Sequence, residues 1–134
     1  MSPEEKKRQI EMTNGFAGFN RHNQIQAVDV DDGVSVIEAP LTKDCLNPHG
    51  IAHGGLIFSL CDVAAGVAAR SGGRNTVSQD ASIYFLRPGV QTTKLTAKGR
   101  VIREGSRSGL AEAEVYTDDG TLIAKASVTI HYLN

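Results

Sequence analysis

The chain has 134 residues, 40% of them hydrophobic and 5% aromatic, with no Trp. That is the size of one domain, with enough apolar mass for a core. Its 14 basic and 15 acidic residues leave a formal net charge of −1, so no global basic field recruits nucleic acid. No run of about 18 apolar residues occurs, which argues against a membrane-spanning helix.

In chain order, Ser2-Pro3-Glu4-Glu5 combines an N-cap, a Pro at the first helical position and acids in the first turn. It predicts a short helix over residues 1–13, broken by Asn14-Gly15. This charged segment lacks the apolar stretch of a signal peptide. The chain therefore reads as a cytoplasmic protein, with Cys45 and Cys61 reduced. Residues 16–22 are expected as a loop. Gln24–Val30 and Val34–Leu41 are β-type runs around Asp31-Asp32-Gly33, a hairpin turn.

Four further strand-like runs lie in the second half. They are Val77–Leu86, Lys94–Arg103, a run carrying Ala111, Ala113 and Val115, and one from Leu122 to Ile130. Turn signals separate them at Arg87-Pro88-Gly89, Glu104-Gly105-Ser106-Arg107 and Asp118-Asp119-Gly120. Period-two alternation of apolar and polar residues predicts an antiparallel sheet with one wet and one buried face.

Between the second and third runs lies the stretch that organises the chain, residues 47–70. It opens polar and glycine-rich and becomes almost wholly apolar from Leu56. It predicts a loop feeding a helix of about four to five turns, ending near Ser71-Gly72-Gly73. On a helical wheel Leu56, Leu60, Val63, Ala64 and Val67 form one stripe. The opposite face holds Phe58, Ala65, Gly66 and Ala69, interrupted by one acid, Asp62. No Lys or Arg stands three or four positions from Asp62, so no helical ion pair accounts for it. Either it is an acid for catalysis in a cleft, or it is a structural carboxylate bonded to backbone groups or to a distant Arg, or the helix emerges there at a surface. Upstream, Gly54-Gly55 at the helix start exposes N–H donors that favour an oxyanion. Asn47 and His53 add polar groups there, although Asn47 before Pro48 also suits a simple turn cap.

These elements make an α+β domain spanning residues 1–134, a six-stranded antiparallel sheet wrapped around one long central helix with a short helix in front. One sheet is expected to cover only one side of that helix. The Phe58/Ala65/Ala69 side then needs a second copy of the chain, which predicts a symmetric dimer with Asp62 near its seam.

With these residues the chain resembles the hotdog-fold acyl-CoA thioesterases, specifically the phenylacetyl-CoA (PaaI-like) branch. The likeness covers roughly residues 14–133. It rests on Asn47-Pro-His-Gly-Ile-Ala-His53-Gly54-Gly55, on Phe58-Ser-Leu-Cys-Asp62, and on the run from Asp80 to Gly89. The related branch with an acid in the loop before the helix does not match, since no acid lies between Cys45 and Gly55. The dehydratase pattern of His-Phe-Pro with a helix Glu is also absent.

The resemblance implies hydrolysis of a thioester between coenzyme A and a carboxylic acid. It further implies dimers whose two sites draw on both chains, often paired into tetramers. By likeness, Asp62 is the catalytic carboxylate, as general base or nucleophile. Gly54, with Gly55 beside it, is the backbone donor to the thioester carbonyl. Asn47 helps to hold that carbonyl or the water, His53 shapes the loop or bonds the substrate, and Ser78 orients the water. Arg103 and Arg107, flanking Gly105 and Ser106, are the expected contacts for the CoA phosphates, with Arg70, Arg74 and Arg87 as further basic groups. No cofactor is implied beyond the coenzyme A of the substrate, and the four His residues lack metal-ligand spacing. Phenylacetyl or a hydroxylated relative is the acyl group the likeness suggests. Two alternatives stay open: a non-catalytic acyl-CoA-binding or regulatory module, and a hydratase or dehydratase on the same fold.

Overall fold

The structure, a computed structural model, describes residues 1–134. The first helix, α1 (Pro3–Asn14), carries the expected capping box: Ser2 Oγ accepts from the Glu5 N–H, and the Glu5 carboxylate accepts from the Ser2 N–H. Residues 16–22, expected as loop, include a single helical turn, α2 (Phe19–His22). The strands are β1 (Gln26–Asp31), β2 (Val34–Pro40), β3 (Thr76–Phe85), β4 (Lys94–Glu104), β5 (Ser108–Tyr116) and β6 (Leu122–Tyr132), and the central helix is α3 (Gly54–Arg70). All pairings are antiparallel, in the order β1-β2-β4-β5-β6-β3. This is the hotdog arrangement, one sheet curled around one helix.

The stripe of α3 meets the sheet as the wheel predicts, with Leu60, Ala64 and Val67 packed against Ile37, Leu95, Ala97 and Val115. The opposite face departs from expectation. Ala65 and Ala69 are buried within the same chain, against Ala111, Val128, Ile130 and Tyr132. The sheet twists and curls, so β5 and β6 cover a flank that a flat sheet would leave bare. What remains open on α3 is narrower: Phe58, 38% exposed, and the half-buried Asp62, Val63 and Gly66.

Two contacts set the height of α3 over the sheet. Ser35 Oγ on β2 donates to the Ala64 carbonyl at 2.6 Å. Beside it, Gly99 on β4 lies so close that an added Cβ would sit 2.3 Å from the same oxygen. At the other end, Arg70 ties α1 to α3: its guanidinium donates to the Gln9 side chain at 2.8 Å and to Thr13 Oγ1 at 2.8 Å.

Candidate active site

Asp62 lies midway along α3, half-buried rather than enclosed. Its Oδ1 accepts the hydroxyl of Ser78, and no Lys or Arg pairs with it. Its second oxygen has no partner in the chain and is available to a water or a substrate. Arg70 lines the same cleft, but its guanidinium is committed to Gln9 and Thr13.

Ser78 reaches Asp62 because β3 carries a bulge. Ser78 pairs with Ile130 and Asp80 with Thr129, so Gln79 is an extra residue. Ala81 and Ile83 pack inward, and strict alternation from them would turn Gln79 toward α3. The inserted residue shifts the phase, so that Ser78 faces the helix instead. Nothing in the local sequence signals this bulge.

The cleft over Asp62 and Ser78 has a volume of about 530 Å³. Gly66, one helical turn on from Asp62, and Val77 line it from within the fold, and Phe16 and Phe19 line it from the amino-terminal segment.

The start of α3 is built differently. His53 is its N-cap, and His53 Nδ1 accepts the Gly55 N–H at 2.8 Å. The N–H groups of Leu56 and Ile57 turn back to the His53 carbonyl, at 3.1 and 3.2 Å. Of the first-turn donors, the Gly54 N–H alone has no partner within the chain. Upstream, Asn47 Oδ1 accepts the N–H groups of His49 at 2.9 Å and Ile51 at 3.3 Å, closing the loop. The turn-cap reading of Asn47 therefore describes its oxygen, while its side-chain N–H₂ is unpartnered. Asn47 and Gly54 line a second cleft of about 400 Å³, walled by Phe85, Leu86 and Arg87. His53 and Gly55 line a third, next to Cys45 and Ser59.

Within one chain the expected residues thus fall into separate groups. Asp62 and Ser78 share one cleft, and Asn47 and Gly54 share another that has no residue in common with it. Eight residues of helix separate Gly54 from Asp62, about 12 Å of rise and roughly 80° of rotation.

The expected CoA-phosphate contacts lie beyond the other end of α3, at the β4–β5 turn. Arg74 clamps that turn, donating to the Gly105 carbonyl at 2.8 Å and to the Ser106 carbonyl, while stacking on the Tyr132 ring at 3.8 Å. The Gly105 N–H is held by the Ser108 carbonyl at 3.0 Å, so it is not free for a phosphate. Arg103 and Arg107 make no ion pair or side-chain hydrogen bond in the chain and remain as free cations. Arg87 donates to the Leu122 carbonyl at 2.9 Å.

Comparison with known proteins bears on this geometry. The model of the thioesterase superfamily matches residues 49–124. The acyl-coenzyme A thioesterase PaaI of Escherichia coli is 34% identical over 100 residues, covering 75% of this chain and 71% of the relative. The solved structure of the E. coli PaaI protein, from the phenylacetic acid degradation operon, superposes with a TM-score of 0.81 at 30% identity, covering 86% and 83% of the two chains. A Streptococcus pneumoniae thioesterase solved with coenzyme A gives 0.77 at 28% identity, covering 82% and 89%. Two substituted forms of that protein replace an Asp and a Thr by Ala, at positions 16 apart, the spacing of Asp62 and Ser78. With its sheet, its central helix and this kinship, the chain belongs to the thioesterase superfamily and is a hotdog-fold thioester hydrolase of the PaaI-like kind.

Proposed function

We propose that the protein hydrolyses aryl- or medium-chain acyl-CoA thioesters, phenylacetyl-CoA-like ones foremost, to the free acid and CoA. The observation that carries this reading is Asp62: a carboxylate without a cationic partner, held by Ser78 at a cleft, with one oxygen unengaged. It acts as general base, taking a proton from a water that attacks the thioester carbonyl carbon, or itself attacks as nucleophile. Ser78 fixes the carboxylate and the water. The unpartnered Gly54 N–H, at the positive end of the α3 dipole, stabilises the developing oxyanion. The Asn47 side-chain N–H₂ is a second donor in the same cleft. His53 serves by holding the Gly55 amide and so fixing the loop. Arg103 and Arg107 attract the CoA phosphates.

Gly54 and Asp62 of one chain line different clefts, and the reading therefore requires a homodimer. In it Asp62 and Ser78 of one protomer face Gly54 and Asn47 of the partner subunit. The exposed edge strand β3, with Val77 and Phe85 each about half exposed, is the surface left for such pairing.

Two experiments test this. Thiol release across a panel of aryl and alkyl CoA thioesters reads the activity and its range; tight binding without release would favour a non-catalytic module. Mixing an Asp62→Asn variant with a Gly54→Pro variant, each inactive alone, should restore about a quarter of wild-type turnover, since half the dimers are mixed and each holds one intact site. No recovery under exchange conditions would rule out sites shared between chains.

A further inference from the structure

The cleft over Asp62 has one wall that the sheet and central helix do not supply. Phe16 and Phe19, in the α1–α2 segment, line it while 74% and 63% exposed, and Met12 beside them is 52% exposed. Large apolar side chains left this open at the mouth of a polar-floored cleft suit a ligand more than a fold. Across from them, Gly66 offers bare backbone: a Cβ added there would meet nothing within 4 Å. A glycine inside a helix costs stability relative to Ala, and no packing contact of the chain requires this one.

Gly66 lies four residues beyond Asp62, on the same face and about 6 Å along the axis. A thioester whose carbonyl sits at Asp62 would lay an arylacetyl ring over Gly66. Arg70 anchors the wall, since its bonds to Gln9 and Thr13 fasten α1 to the C-terminal half of α3.

We propose that Phe16 and Phe19 are specificity-determining residues, forming with Gly66 a slot that selects acyl groups ending in a flat aromatic ring over linear chains of similar size. This rests on the hydrolase reading above and assigns its acyl selection to the amino-terminal segment. Ring-on-ring contacts add to simple burial, whereas a linear chain gains only burial.

The test compares kcat/KM for phenylacetyl-CoA and hexanoyl-CoA in the full chain, in a Phe16→Leu/Phe19→Leu double variant and in a Phe16→Tyr/Phe19→Tyr double variant, with light-scattering mass for each. The Leu pair should lower the phenylacetyl-to-hexanoyl ratio roughly tenfold by losing two ring contacts, at unchanged mass. The Tyr pair should keep it within about twofold, the scatter of neutral surface changes. Gly66→Val, which fills the slot from the helix side, should lower the same ratio. A ratio that stays put in the Leu pair, an equal fall for both substrates, or a change of mass would overturn the proposal, the last by making the wall an interface between copies. If the wild-type chain cleaves neither thioester, the hydrolase reading itself fails, a result separable from loss of selection alone.

Discussion

Gly54→Pro removes the backbone donor proposed for the oxyanion, leaving only the Asn47 side-chain N–H₂ in that cleft, and the fold is already suited to it. Gly54 is the first residue of α3, the helical position most tolerant of Pro because its N–H has no intrahelical partner. His53 before it has φ −66° and ψ 138°, the extended conformation that a following Pro requires. A side chain at position 54 meets the Phe85 ring at 3.4 Å, an ordinary contact. No hydrogen bond within the chain is lost, and the unfolded chain is stiffened. Stability should hold or rise by about 0.4–1 kcal/mol, read as a thermal midpoint equal to or slightly above wild type. Loss of one preorganised donor costs about 10²–10³ in turnover in other acyl-transfer enzymes, and a fall of that size in kcat by thiol release is expected. Wild-type turnover at an unchanged midpoint would refute the role of this amide. A large loss of stability would refute the reading of the helix start.

The remaining predictions concern the frame and its titrating groups. Gly99→Ala must push α3 away by about 1 Å to relieve a 2.3 Å approach to the Ala64 carbonyl. Overpacking and the weakened Ser35 bond together cost about 3 kcal/mol, a midpoint lowered by roughly 10 °C. The same shift between Asp62 and Ser78 should cut kcat/KM by up to about 10²; a midpoint within a degree or two of wild type would contradict the packing. Burial, and then the neighbouring Asp62 charge, push the Cys61 thiol up to about 12. Ellman's reagent should therefore titrate Cys45 alone in the native protein and both thiols in denaturant; equal native reactivity would place Cys61 at the surface. Hydroxyls of Thr117 and Thr121 hold the Asp119 carboxyl down at about 2, from an ordinary 3.8. A depressed carboxylate adds stability above its unfolded value, and that stability fades as pH falls through the folded one. Between pH 4 and 2, Asp119→Asn should accordingly flatten the loss of stability; an unaltered acid profile would mean the turn contributes nothing there.

The sheet and the long helix were legible because their signals are periodic. Alternation from Lys94 to Ile130 reports one wet and one buried face, and the stripe Leu56–Leu60–Ala64–Val67 reports the face of α3 that meets it. The hairpin at Asp31-Asp32-Gly33 was legible because Gly33 adopts φ 74°, a conformation that glycine tolerates best. Asp62 stood out because a helix otherwise apolar all round has no use for an unpaired acid.

What was not legible depends on tertiary geometry. The burial of Ala65 and Ala69 by β5 and β6 follows from the curl of the sheet, which leaves no mark in a wheel diagram. The bulge at Gln79, which turns Ser78 toward Asp62, is an insertion relative to the partner strand and is invisible in either strand alone. His53 as N-cap was hidden because the residue types that usually cap helices are Ser, Thr, Asp and Asn. Its capture of the Gly55 amide singles out Gly54. The aromatic wall of Phe16 and Phe19 is a matter of where α1 is tethered by Arg70, which bonds Gln9 across 61 residues of sequence.

The most direct measurement is turnover of Asp62→Asn against phenylacetyl-CoA, with thermal midpoint and mass measured alongside. Asn fills the same space and still accepts the Ser78 hydroxyl, but it cannot take a proton or attack. With the general base lost, kcat should fall by on the order of 10³, at unchanged midpoint and mass. Turnover within about tenfold of wild type would remove Asp62 from the chemistry and, with it, the proposed mechanism.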